Sequence, residues 1–355
     1  MTGKGNQVAD SGTETGWLSQ WLGGLRAALK PGTSASQANR RLLGQAHVKL
    51  DKIVRRTAGV ARHLEMPGAQ VDKGTQILLR NSYRDLARKG IFLPFHEVEF
   101  RNFSQTGEDG ILHYIFSLVG TTDRRSVEIC AGTGIQCNSA NLIIHHGWHS
   151  LLVDGSEDNV RKGRKFFREH PDTELRIPKF VRRWVDRESV NAILSEQGFT
   201  GEIDLLCLDL DGVDYWIWEA LTAASPRVVV VEVNTTQVGA SVTVPYSPGF
   251  RATWIPMTDS GSDEADKELT GPSNFHERYT VYHGASLSAF VKLARTRGYR
   301  LIGANNTGFN AFFMRDDVGA EQFPEVTAES CAMRQDPQRL ARAVAKLNQY
   351  PWQEI

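Results

Sequence analysis

The sequence predicts a doubly wound, Rossmann-like α/β domain with a mostly parallel sheet and one antiparallel strand, preceded by an N-terminal helical appendage. Three observations carry the prediction. From about Ser104, short runs apolar on both faces alternate with helical stretches, the pattern of a parallel sheet covered on both sides. A glycine-rich turn, "AGTG", breaks the first apolar run into the following helix. Near the end, a helix leads into "YRLIGANN" and "FNAFFMRD", joined by the turn-forming "NNTG", so one strand runs back against its neighbours.

The elements follow in order. Residues 1–30 carry little to bury and read as a disordered or poorly ordered tail, and 31–95 as a helical region. Within it, Ala35–Leu64 places Leu42, Leu43, His47, Leu50, Ile53 and Val54 at helical spacing, a cover helix or a homodimer contact; "GTQILLRNSYRDLARKG" gives a second helix. The Rossmann region, 96–330, opens with "SQTGEDGILHYIFSLVG", a helix with a cap-like Ser104. Strands at Val127–Ala131 and Ser150–Val153 flank a helix ending near His146. A helix from Asp158 to Glu169, a weak strand near Lys179–Val185 and a helix at Ser189–Gly198 follow. "EIDLLCLDLDG" and "PRVVVVEVN" are the next strands. A long polar insertion at about 235–283 reads as a lid or substrate wall, and 331–355 as a helical extension.

Composition excludes several classes of function. Hydrophobic residues make up 41% and charged residues 23%, as in a soluble globular protein. Forty-one basic residues balance forty-one acidic ones, so no global field recruits nucleic acid or an anionic membrane. No run of about eighteen apolar residues is present, and the start lacks an apolar signal core; the expectation is a cytoplasmic protein. Cys130, Cys137, Cys207 and Cys331 form no C-x-x-C pair and read as structural.

The chemistry gathers around "VEICAGTG". Gly132 and Gly134, with Thr133 between them, let the backbone turn tightly and approach a ligand. Asp154 closes the next strand, where a carboxylate can accept ribose hydroxyls. A dinucleotide fingerprint needs a third glycine where this chain has Cys137. Glu128 is ill placed beside a pyrophosphate but suits a ligand bearing an ammonium and a sulfonium, which favours S-adenosylmethionine over NAD.

In this order, "VEICAGTG", "LLVDGS", "LLCLDLDG" and "VVVVEVN" resemble class I S-adenosylmethionine-dependent methyltransferases. "SQTGEDGIL", "CNSANLI" and "GWHSLLVDGS" resemble the FkbM-type branch, and the resemblance spans about Ser104 to Asp317. It implies seven strands with the last antiparallel, the Gly132–Gly134 turn under the methionine moiety and Asp154 on the ribose. It further implies Asp186 near the adenine, and Gln105, Glu108 and Asp109 in a segment closing over the cofactor. One departure stands out: many members read acid-x-Glu-Gly after the fourth strand, and this chain reads Asp209-Leu-Asp211-Gly212.

Strand carboxyl ends place Asp209, Asp211, Asp214, Glu232 and Asn234 on one rim. Asp211, Glu232 and His283 are the candidates for a base at an acceptor hydroxyl, although Asp211 also suits a turn and His283 a helix start. Asp209, Asp211 and Glu232 are oxygen donors suited to Mg²⁺. "HHGWH" reads as a solvated helix end rather than a zinc site, and Tyr215, Trp216 and Trp218 either floor the cofactor pocket or pack on the sheet. The expected activity is methylation of a sugar or other secondary-metabolite oxygen. The alternatives are a non-catalytic module, a metal-using Rossmann-like protein of different chemistry, and an NAD-dependent oxidoreductase.

Overall fold

The computed structural model describes residues 71–257, 279–332 and 335–355. The expected tail, the Ala35–Leu64 helix and the middle of the insertion lie outside them. The first described element, α1 (Lys73–Ala87), is capped by Asp72, whose carboxylate accepts from Thr75 N at 3.0 Å. Its buried Gln76 exchanges two amide hydrogen bonds with Asn141, at 3.1 and 3.0 Å, so polar pairing as well as apolar contact seats this helix.

Helix α2 (Glu108–Val119) starts three residues later than its Ser104 cap signal suggests. The intervening segment wraps around the buried Asp109 carboxylate, whose Oδ2 accepts from the backbone N–H of Asn102, Phe103 and Ser104. Then follow β1 (Arg125–Ile129), α3 (Ala140–His146), β2 (His149–Asp154), α4 (Glu157–Glu169), β3 (Lys179–Arg182) and α5 (Val190–Gln197). The second half holds β4 (Gly201–Leu208), α6 (Asp214–Ala220) and β5 (Ala224–Glu232). Short strands β6 (Val242–Thr243), β7 (Thr253–Pro256) and β8 (Tyr279–Tyr282) fall in the insertion. Helix α7 (Leu287–Thr296), β9 (Tyr299–Ala304), β10 (Asn310–Arg315), α8 (Pro337–Leu347) and β11 (Gln353–Glu354) complete the chain.

Seven strands form one sheet in the order β3-β2-β1-β4-β5-β10-β9. β10 runs antiparallel to both β5 and β9, and the other pairings of the sheet are parallel, as expected. Alternation along the strands sorts the core into two faces. Val127, Leu206, Val229 and Phe313 pack with Trp216, Trp218 and Phe290 from α6 and α7. Leu205, Cys207, Val230 and Phe312 pack with Ile111, Leu112 and Ile115 of α2. Each such fully buried side chain contributes roughly 1.5–3 kcal/mol. Tyr215, Trp216 and Trp218 are thus core residues; Trp218 rings contact Phe313 at 5.1 Å and Tyr299 at 5.8 Å.

A buried charge pair joins β4 to β5 and to the loop that precedes β1. Asp204 on β4 is 2.8 Å from Arg227 on β5 and accepts from the backbone N–H groups of Thr122, Asp123 and Arg124. The described ends of the insertion are not wholly surface: β6 pairs with β11, and Val244 and Tyr282 are buried with Leu347 of α8. "HHGWH" also differs from expectation. His145 and His146 lie within hydrogen-bond distance of Gln76, at 2.8 and 2.7 Å, because α1 covers that end of α3.

Candidate active site

Strand order reverses between β1 and β4, and in such sheets the crevice opens beyond the carboxyl ends of the strands on either side of the reversal. Two loops meet there. The chain leaves β1 through Cys130 (φ 64°) and Gly132 (φ 56°), and leaves β4 through Asp211 (φ 53°). Left-handed backbone at two residues that are not glycine stores strain, and strain of this kind concentrates at functional sites.

The β1 loop is held from both sides. Asp154, at the end of β2, accepts from Gly132 N at 2.9 Å through Oδ2, and through Oδ1 from Ser156 N and Asn159 Nδ2. A Cβ on Gly132 would meet nothing within 4 Å, so this glycine faces open space. Gly134 does not: a Cβ there would lie 2.9 Å from Leu152 Cδ1 and 3.0 Å from Phe167, so it serves close packing rather than ligand approach. Thr133 turns its carbonyl toward α4, where Gly163 admits it; a Cβ on Gly163 would come within 2.4 Å of that oxygen.

Several expected cofactor contacts are spent inside the protein. Glu128 is buried, and its two oxygens accept from Asn138 N at 2.8 Å and Ser139 N at 2.7 Å. It thereby satisfies N–H groups at the start of α3, where Ser139 makes no side-chain cap, and burial leaves it little access to a ligand. Asp186 accepts from Ser189 N at 2.8 Å and shapes the entry to α5. Gln105 is exposed ahead of α2. Glu108 is buried and receives Asn305 Nδ2 at 2.7 Å and Asn310 Nδ2 at 2.8 Å, so it fastens the loop before α2 to the β9–β10 turn.

The acidic rim assembles largely as its strand-end positions suggested. Asp214 receives Leu210 N at 2.7 Å and Gly212 N at 3.0 Å, bracing the turn that carries Asp209 and Asp211. Burial lifts its carboxyl to about 6 against the pull of those N–H groups. Asp209 and Glu232 are neighbours, and both are raised well above the usual carboxylate range, first by burial and then by the neighbouring carboxylates. Burial also raises Asp211, which stands exposed at the mouth. His283 arrives from the far end of the insertion because Asn234 Nδ2 donates to its carbonyl at 2.9 Å while Asn234 N donates to Ala285 O at 2.8 Å. Burial holds the His283 imidazole down to about 4, so it is neutral at pH 7.

The three base candidates therefore converge. Ligand atoms of Asp211, Glu232 and His283 all lie within 4.8 Å of one another, and His283 Nδ1 is 3.7 Å from Glu232 Oε2. Asp209 joins through Glu232, so the grouping differs from the all-carboxylate set expected for Mg²⁺. Two rim residues carried no signal in the sequence pattern. Cys130 is exposed, not packed as a strand cysteine, because its left-handed backbone turns it out of β1. Asn310 pairs with Glu232 in register, and its Oδ1 has no partner among the described residues.

Fold and rim define a Rossmann-like α/β protein with an acidic rim beside the sheet's reversal point. No family model matches the chain, and no curated protein matches it. Solved structures similar to it include the glycopeptide N-methyltransferase MtfA complexed with S-adenosylmethionine, at 11% identity over 58% of this chain and 92% of that one, TM-score 0.36. The N-terminal domain of EvdMO1 with S-adenosylhomocysteine bound is similar at 11% identity over 69% of this chain and 96% of that one, TM-score 0.35. No helix among the described residues is long and apolar enough to cross a membrane.

Proposed function

We propose that this chain is an S-adenosylmethionine-dependent methyltransferase acting on an oxygen of a small molecule, a sugar or another secondary metabolite. The observation that carries the reading is the open Gly132 turn at the reversal point, tied to Asp154 and faced by a carboxylate rim. Such a rim suits a cationic ligand and repels a pyrophosphate. The oxidoreductase alternative is further disfavoured by Cys137, which is buried with its thiol on Gly134 O at 3.3 Å where a dinucleotide site uses its third glycine.

The open Gly132, Thr133 beside it and the Asp154 carboxylate are the groups that would hold the cofactor. Asp154 Oδ2, which accepts only from Gly132 N, has a second lone pair for a ligand hydroxyl. When bound, the cofactor supplies a methyl group on a positively charged sulfur. The protein's part is to place an acceptor oxygen and take its proton. Glu232 is raised well above the usual carboxylate range, first by burial and then by the neighbouring carboxylates, which favours its protonated form and makes it the poorer base. Neutral His283 has an unpaired Nδ1 next to it and is the proton acceptor of this reading. Asp211 stands at the mouth, where its carboxylate meets an entering polar acceptor.

Calorimetric titration with S-adenosylmethionine tests the reading. The expected result is saturable binding that Asp154→Ala weakens at least about tenfold, with an unchanged circular-dichroism spectrum. Absence of binding at about millimolar cofactor, or equal affinity in Asp154→Ala, overturns it.

A further inference from the structure

We propose that Asp211, Glu232 and His283 form a site for one divalent transition-metal ion of the Mn²⁺ or Zn²⁺ class. Its donors come from three separate parts of the chain, the loop after β4, the end of β5 and the residue after β8, yet lie within 4.8 Å of one another. Glu232 Oε2 and His283 Nδ1 are both sequestered from solvent with no hydrogen-bond partner among the described residues. Buried polar atoms are ordinarily paired, so two unpaired ones facing each other across 3.7 Å point to a missing occupant. Adjacent donors on an ion with metal–donor bonds of about 2.1 Å stand about 3 Å apart, a small adjustment from this separation.

The donor set also selects among ions. Mg²⁺ takes oxygen ligands, whereas imidazole beside carboxylates suits the transition ions. Asp209, expected as a ligand, neighbours Glu232 but is not one of the three converging donors. Asn234 holds the His283 backbone in place from behind. Three protein donors leave open positions for an acceptor oxygen, and a bound ion acidifies a hydroxyl. That use rests on the proposed methyl transfer, and in the loaded protein His283 is a ligand rather than a base. Ion binding itself does not depend on it.

Calorimetry and Mn²⁺ electron paramagnetic resonance on the full, metal-stripped chain test the site, with and without S-adenosylmethionine. One equivalent of Mn²⁺ should bind, with Mg²⁺ at least about tenfold weaker. Asp211→Asn and His283→Ala should each weaken Mn²⁺ at least about tenfold. Asparagine tolerates the left-handed conformation at position 211, so that variant decides the matter should His283→Ala fail to fold. No binding at about millimolar Mn²⁺, equal affinity for Mg²⁺, or Mn²⁺ affinity unchanged in Asp211→Asn overturns the site. Cofactor binding without ion binding overturns the metal site alone. Ion binding without cofactor binding supports it and overturns the methyltransferase reading.

Discussion

Asn234 donates from its side chain to the carbonyl of His283 at 2.9 Å, and by this bond a residue at the far end of the insertion is carried to within 3.7 Å of Glu232. Asn234 Oδ1 also receives Thr236 N and Gln237 N, so one buried amide fixes both the exit from β5 and the return from β8.

Asn234→Ala should therefore loosen His283 without touching Gly132 or Asp154 of the proposed cofactor site. A kcat reduced about tenfold, with cofactor affinity changed less than about threefold, is the expected result in a methyl-transfer assay against calorimetry.

Glu128 and Asp154 should separate by readout. Glu128→Gln leaves one acceptor oxygen for two buried N–H groups and should cost about 1–3 kcal/mol in urea unfolding. Its cofactor affinity should stay within about threefold of the parent. A large loss of affinity in Glu128→Gln would restore this carboxylate as a ligand.

The two turn glycines should differ as well. Gly132→Ala meets open space and should cost only about 1 kcal/mol for its left-handed backbone, while weakening cofactor binding. Gly134→Ala carries the same backbone penalty (φ 69°) and adds a clash with Leu152 and Phe167. Thermal melting should show the larger loss at Gly134.

The Asp204–Arg227 pair has no part in the crevice, yet breaking it leaves a buried charge alone. Arg227→Ala should destabilise the fold by about 3–5 kcal/mol. Chemical denaturation measures this, and a value near zero would mean that Asp204 is satisfied by its N–H donors alone.

Acid should weaken the fold near α1. Burial, joined by neighbouring positive charge, lowers His113 to about 4 and His146 to about 3. The unfolded chain takes up these protons first, so stability is lost as pH falls from about 6.5 toward 4, on the order of 3 kcal/mol per residue. Asp109, raised to about 6 by burial, works oppositely, because the folded state holds its proton more tightly and gains as pH falls from about 6 to 4. Asp109→Asn should remove that gain and steepen the acid transition seen by circular dichroism.

Much of the fold was legible because its signals are local. The runs in β4 and β5 are apolar on both faces, so they belong in the middle of a covered parallel sheet, where they lie. "NNTG" turns the chain directly from β9 into β10, which is why one strand had to be antiparallel. The Ser104 cap signal misled because the Asp109 carboxylate, with its three backbone donors, competes for the same segment. Glu128 misled for a similar reason: a carboxylate one strand position from a glycine turn reads as a ligand until α3 is seen to start on top of it.

By itself the sequence determined the order of strands and helices, the glycine turn after β1 and the placing of acids at strand ends, since periodicity and turn chemistry act between near neighbours. Tertiary structure alone decided which groups were free. Glu128 and Glu108 accept hydrogen bonds from backbone or side chains brought in by folding, and Asp186 Oδ1 from Ser189 nearby, while Glu232 and His283 are left with unpaired atoms facing each other. A buried polar group must find a partner, and which groups find one within the protein is settled only when distant segments pack.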